Sequence, residues 1–347
     1  MNMSSRITIT DSSLRDGNHS ARHKISTTTI ERYCKFAESA GIPIVEVGHG
    51  NGLGASSLLI GESLTSDIDM LRSARSQLRT SKLAVQVIPG LATRDRDLAV
   101  AIECGVDIFR VASHCTEASV TKSYMDFLTE RGKVVQGVLM MTALADTTTL
   151  VENAVFMQTC GASCVIIMDS TGTYLPDDVT ERVRALCSAL SVDVGFHAHN
   201  NLGCAVANSI AAIQAGAVYI DVCINGFGAG AGNAPLEVVV PVFHRLGFRT
   251  GVDFEKVIKE ADESKTYLVT RTPTIEPLHV LTGMHKLFSG FEKPIREAAD
   301  LNNISYHDVI FALGDRQVVA GQEDVILEVA RKIADAIKEK SRKEVHS

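Results

Sequence analysis

Short apolar runs alternate along the chain with longer stretches in which apolar residues recur every three or four positions. Eight of the short runs read as strands, at 7–14, 42–48, 83–89, 107–113, 134–141, 164–169, 193–199 and 219–224. Strands buried on both faces are nearly continuous in apolar residues, and that is the form these runs take. Between them, 27–40, 93–104, 117–131 and 178–190 carry helical spacing. Gly41, Gly105, Gly161 and Gly216 fall near the ends of such stretches, where a left-handed cap is needed. Eight strand–helix alternations in about 250 residues predict an α/β fold, a closed TIM (β/α)8 barrel. An open doubly wound sheet is the runner-up, but it carries a glycine-rich nucleotide turn after its first strand, and Arg15-Asp16-Gly17-Asn18 is not one. The run Gly226 to Gly232 is rich in glycine, yet it comes after the eighth strand. There it reads as a loop whose backbone comes close to a ligand at the barrel mouth.

After about residue 250 the strand pattern stops. Stretches 254–270, 277–288, 294–301, 305–314 and 322–340 read as helices, with the breaker Thr272-Pro-Thr-Ile-Glu-Pro277 between them. The expected division is a barrel over 1–255 and a C-terminal helical appendage over 256–347. The charged turns from Lys338 onward are expected to fray.

Composition narrows the class. Hydrophobic residues make up 45% of the chain while aromatics are only 5% and Trp is absent, so the large core is aliphatic. A net charge of −7 argues against nucleic acid or an anionic membrane as the main partner. The eight cysteines form no C-x-x-C pair and mostly sit in apolar patterns, as reduced core residues do. With no apolar stretch at the start and none of membrane-spanning length, a cytoplasmic enzyme is expected.

Two polar clusters then stand out because both lie where a strand ends. His197 and His199 are two apart at the end of the seventh strand, so their side chains share a face. Arg15, Asp16 and His19 come directly after the first strand. In a closed parallel barrel those ends converge on one mouth, where two imidazoles and a carboxylate can hold a divalent cation. On the second strand, Glu46 and His49 are open to two roles, an internal polar network or a substrate contact.

With these clusters placed, the chain resembles the DRE-TIM metal-dependent lyases and condensing enzymes, a group that includes HMG-CoA lyase and isopropylmalate synthase. Within it the chain most resembles the 4-hydroxy-2-oxovalerate aldolase family. The likeness rests on Ser13 to His19, Val45-Glu-Val-Gly-His-Gly50, Arg110 to Glu117, Met168-Asp-Ser-Thr-Gly172, Phe196 to Gly203, Gly228 to Glu237 and Val318 to Asp324, in order along almost the whole chain. The resemblance implies Asp16, His197 and His199 as ligands of Mn²⁺, with Mg²⁺ or another divalent cation as alternatives, and Asn233 beside them. It implies a class II pyruvate aldolase that cleaves a 4-hydroxy-2-oxo acid, such as 4-hydroxy-2-oxovalerate, to pyruvate and an aldehyde. Arg15 would stabilise the developing enolate, His19 would act as general base on the C4 hydroxyl, and Ser170, along with Arg15 and His197, would contact the 2-oxo acid. The alternative is condensation of an acyl-CoA with a 2-oxo acid, as in isopropylmalate synthases. The resemblance also implies that the barrel is the catalytic domain and that the appendage covers the site and contacts a partner; the partners implied are an acylating aldehyde dehydrogenase and further copies of the chain, in a homo-oligomer.

Three departures from the family pattern matter. Relatives carry a tyrosine in a Gly-Val-Tyr-Ser-Ser-Phe-like run of the appendage, and alignment with Gly283-Met-His-Lys-Leu-Phe288 puts His285, as a catalytic residue, in its place. The fifth strand ends Met140-Met-Thr-Ala-Leu-Ala145, without the Ser-His that relatives carry after the methionines. Ala320-Gly321 stands for a Gly-Gly pair that lines a tunnel toward the dehydrogenase in bifunctional relatives.

Overall fold

The computed structural model describes residues 6–58, 60–314, 316, 318–319 and 321–345, and Ala320 lies outside the described residues. Eight parallel strands close into a barrel in chain order: β1 (Thr8–Leu14), β2 (Ile44–Val47), β3 (Lys82–Val87), β4 (Ile108–His114), β5 (Val134–Met140), β6 (Cys164–Asp169), β7 (Asp193–Ala198) and β8 (Tyr219–Val222), which pairs back onto β1. All eight predicted strands are present, most shortened by a residue or more at an end.

The helices form for local reasons that the pattern contained. The helix Thr27–Ala40 opens on Ser26, whose hydroxyl accepts the Thr29 N–H, and closes on Gly41 at φ 72°, the left-handed cap that glycine adopts without cost. Its buried residues Ile30, Tyr33, Cys34 and Ala37 keep one stripe against the strands. Two of the predicted helices begin as other turns. The 93–104 stretch starts with a π turn, Arg94–Leu98, and the 117–131 stretch with a 3₁₀ turn, Ala118–Thr121.

Inside the barrel the two sides differ. Ala112, Val138, Cys164, Ile166 and Met168, from β4 to β6, pack as one apolar cluster. Ser12, Glu46, Arg110, His197 and Asp221 are buried and polar, and bond across the interior.

The appendage has its own core, in which Leu287, Phe291, Ile295, Val309, Ile310 and Ile326 pack together. The expected break after residue 255 falls earlier than the change of core. Val257, Ala261, Leu268 and Val269 still belong to the barrel's packing, and the second core begins at Leu278. The last helix, Glu323–Val345, continues through the turns expected to fray. No helix among the described residues is long and apolar enough to cross a membrane.

Candidate active site

At the end of β7, alternation sends His197 and His199 to the same face, with ring centroids 5.1 Å apart. Asp16 arrives from β1 through an irregularity: Asp11 pairs with Val45, but Leu14 pairs with Val47, so β1 holds one residue more than β2. Such a bulge bends the strand end and re-aims the residues beyond it. Buried Asp11 secures it, accepting from the Ser13 backbone N–H at 2.9 Å and from the Tyr33 hydroxyl at 2.6 Å. One ligand atom each from Asp16, His197 and His199 lies within 4.8 Å of the others.

The donor set fits a divalent cation. His197 Nδ1 donates to Asp221 Oδ2 at 2.9 Å, which leaves Nε2 as the free lone pair. That Nε2 and the Nδ1 of His199 are buried without a hydrogen-bond partner. Two buried imidazole nitrogens lacking partners beside a carboxylate would be costly unless something binds them. A cation would satisfy all three.

Asp16 is braced on both oxygens. Oδ1 accepts from Arg15 Nη1 at 2.6 Å, and Oδ2 accepts from Asn233 Nδ2 at 2.6 Å and from the Ala229 N–H at 3.2 Å. Gly228 makes this approach possible, since a Cβ there would meet Asn233 and Asp16 at 2.7 Å. The glycine-rich loop thus comes close to a candidate ligand residue. Burial raises the Asp16 carboxyl, but Arg15 and the three nearby imidazoles outweigh it and hold it far below the ordinary carboxylate range. Asp16 is therefore a carboxylate at every working pH.

Arg15 is 2% exposed and bonds Glu46 through Nε at 2.9 Å. Burial works against its charge, yet Glu46 and Asp16 keep it more firmly protonated than usual. Its Nη2 has no partner and remains a donor beside the candidate cation site. His19 is half-buried, its ring edge-on to His23 at 5.4 Å and to Phe288 at 6.5 Å. Burial pushes its imidazole below the ordinary value, Asp16 opposes, and Arg15 reinforces the shift. His19 is thus neutral near pH 7, as an acceptor of protons must be.

Glu46 takes the first of its two open roles: Ser12, Arg15 and Arg110 all bond its Oε2. Asn233 reaches Asp16, one of the three candidate cation ligands. Ser170 is 1% exposed at the end of β6, where its hydroxyl accepts the Met141 N–H at 3.0 Å. It does not cap the next helix, which starts at Pro176 behind Leu175. His285 is elsewhere than expected. Its ring packs edge-on to Phe311 at 5.4 Å and lies against Gly314, both in the helix Tyr306–Gly314. The residue of this segment that meets His19 is Phe288. The helix Pro277–Met284 ends early and Lys286 turns at φ 54°, which carries the chain inward three residues later than the expected register. Ser289 then locks the segment, its N–H donating to the Ser170 carbonyl at 3.0 Å and its hydroxyl reaching Asn201 Oδ1 at 2.9 Å.

Sequence reasoning assigned no role to Arg110, Asp221 or Asn201. Asp221 and Arg110 interrupt apolar strands with a charge, which was the available signal. Asn201 donates to the His279 carbonyl at 3.3 Å and to Thr282 Oγ1 at 3.1 Å, tying the loop beyond His199 to the appendage.

Comparison with known proteins finds relatives along most of the chain. Residues 6–263 match the HMGL-like family, and residues 273–335 match the DmpG-like communication domain. A 4-hydroxy-2-oxovalerate aldolase of Spirochaeta aurantia is 53% identical over 327 residues, 94% of this chain and 96% of the relative. One of Pectobacterium atrosepticum is 49% identical over 332 residues, 96% of this chain and 97% of the relative. Among solved structures, the carboxyl transferase domain of Rhizobium etli pyruvate carboxylase with pyruvate and biocytin superposes at a TM-score of 0.82. It is 18% identical, and the match covers 96% of this chain and 61% of that one, so it speaks for the fold alone. Matching named relatives at these identities over nearly its whole length, the chain belongs to the 4-hydroxy-2-oxovalerate aldolase family, within the HMGL-like group.

Proposed function

We propose that this protein is a divalent-cation-dependent pyruvate aldolase that cleaves a 4-hydroxy-2-oxo acid, such as 4-hydroxy-2-oxovalerate, to pyruvate and an aldehyde. The observation that carries the reading is the set of Asp16, His197 and His199, with two unpartnered ring nitrogens, beside the free Nη2 of Arg15. A bound cation supplies Lewis acidity to the 2-oxo group. His19, neutral and beside the site, takes the proton of the C4 hydroxyl. As the C4–O bond becomes a carbonyl, the C3–C4 pair moves into the pyruvate fragment. The negative charge then growing on its keto oxygen falls within reach of Arg15, whose position Glu46 and Asp16 fix beforehand. Protonation at C3 completes pyruvate. Ser170 would orient the 2-oxo acid carboxylate by turning its O–H away from the Met168 carbonyl, 3.5 Å distant, while the Met141 N–H occupies its acceptor side.

Two imidazoles are softer than an all-oxygen set, which favours Mn²⁺ over Mg²⁺. The match of 273–335 to the DmpG-like communication domain supports an acylating aldehyde dehydrogenase as the partner of the appendage. Metal-stripped protein should release pyruvate from racemic 4-hydroxy-2-oxovalerate only after Mn²⁺ is restored. Pyruvate release equally fast without metal overturns the cation site. No release with Mn²⁺ bound, but turnover of an acyl-CoA with a 2-oxo acid, would establish the condensing alternative.

A further inference from the structure

The charged groups in the barrel interior form a closed circuit. Asp16 bonds Arg15, Arg15 bonds Glu46, Glu46 bonds Arg110, Arg110 bonds Asp221, and Asp221 bonds His197, which faces Asp16 across the cation site. Arg110 Nη1 reaches Glu46 Oε2 at 2.8 Å, and its Nη2 reaches Asp221 Oδ2. Arg110 sits on β4 and Asp221 on β8, opposite staves of the barrel, so one side chain spans the interior. It is 0% exposed, and so is Glu46.

Packing alone does not call for this. Barrel interiors are ordinarily filled by layers of branched aliphatic side chains, and here only part of β4 to β6 forms such an apolar cluster. A buried ion network is commonly no more stabilising than apolar residues of similar volume. What the guanidinium does that an aliphatic chain cannot is hold two carboxylates at a fixed separation with a planar fork. One carboxylate sets the tautomer of a cation ligand, and the other sets the direction of Arg15.

We propose that Arg110 is a positioning residue: its fork couples the cation ligand His197, through Asp221, to the anion-stabilising Arg15, through Glu46. The inference rests on the aldolase reading and extends it to a residue that touches neither cation nor substrate. Its consequence is that cation affinity and turnover are set together from a point inside the barrel.

The experiment compares wild type, Arg110→Lys and Asp221→Asn by Mn²⁺ titration, monitored by electron paramagnetic resonance, and by kcat and KM at saturating Mn²⁺. Lysine restores the charge but not the fork, so it cannot hold both carboxylates. Asparagine keeps the shape and still accepts the His197 Nδ1–H. Asp221→Asn should weaken Mn²⁺ binding about 10- to 100-fold, as loss of an outer partner of a ligand histidine does. Arg110→Lys should weaken it by about 10-fold and lower kcat by a similar factor at unchanged KM, with wild-type circular dichroism. If Arg110→Lys does not fold, Asp221→Asn decides. Wild-type Mn²⁺ affinity and kcat in the folded variants overturn the proposal while leaving the aldolase reading intact. A wild-type protein that binds neither Mn²⁺ nor Mg²⁺ overturns both.

Discussion

Asp16 shows how much one side chain carries: it is braced by Arg15 on one oxygen and by Asn233 and a backbone N–H on the other, and it faces two ring nitrogens. Its replacement tests the site directly. Asp16→Ala should abolish measurable Mn²⁺ binding and lower turnover by about 10³-fold or more, with the circular dichroism spectrum unchanged; retained metal binding would move the ligand set elsewhere. His19 is a separate test. His19→Gln should reduce kcat by about 10²- to 10⁴-fold without loss of bound Mn²⁺. Because burial lowers the His19 imidazole, its neutral form persists into mild acid, and the acid limb of kcat/KM should lie below about pH 6.5. An acid limb above that value would assign the base to another group.

At the scale of elements, the strands and most helices were legible because the barrel repeats one pattern: an apolar run, a loop, an amphipathic stretch and often a glycine cap. The ends of β1 and β7 were legible as site positions for the same reason, since barrel closure brings the strand ends together whatever the loops do. What was not legible is what closure does across the interior. No spacing along the chain says that Arg110 meets Asp221, because β4 and β8 become opposite only once all eight strands have paired. The appendage departs from its expected register for a related reason: an early helix end and a left-handed Lys286 shift the inward position from His285 to Phe288. The two residues therefore make opposed predictions. Phe288→Ala should raise KM for the 4-hydroxy-2-oxo acid and alter which aldehydes are accepted in the reverse reaction, whereas His285→Tyr, set against Phe311, should change neither. A changed aldehyde preference in His285→Tyr alone would return the inward position to His285.

For the molecule as a whole, several histidines are buried neutral. Burial holds His23 down at about 2 and His49 at about 4, and the two rings stack 3.6 Å apart. The unfolded chain takes up protons on these rings below about pH 6.5 while the folded chain does not. Stability is therefore full above that pH and falls as the pH drops toward 4. In chelator, so that cation release does not contribute, the unfolding midpoint should be flat from about pH 7 to 8 and should fall between about 6.5 and 4. His49→Asn should flatten part of that slope, because its amide oxygen can stand where Nδ1 accepts the Asn51 N–H and the side chain no longer titrates. An equally steep slope in that variant would place the acid sensitivity in other groups. The latch formed by Ser289, Ser170 and Asn201 has a consequence for recombination between relatives. Barrel and appendage look exchangeable, since each has its own core, yet the bonds that join them come from two barrel loops and one turn far along the chain. A hybrid that joins this barrel to a foreign tail inherits only half of each bond. Compatibility between parents will depend on whether the incoming turn can donate to the Ser170 carbonyl and to Asn201, and overall sequence similarity will be the poorer guide.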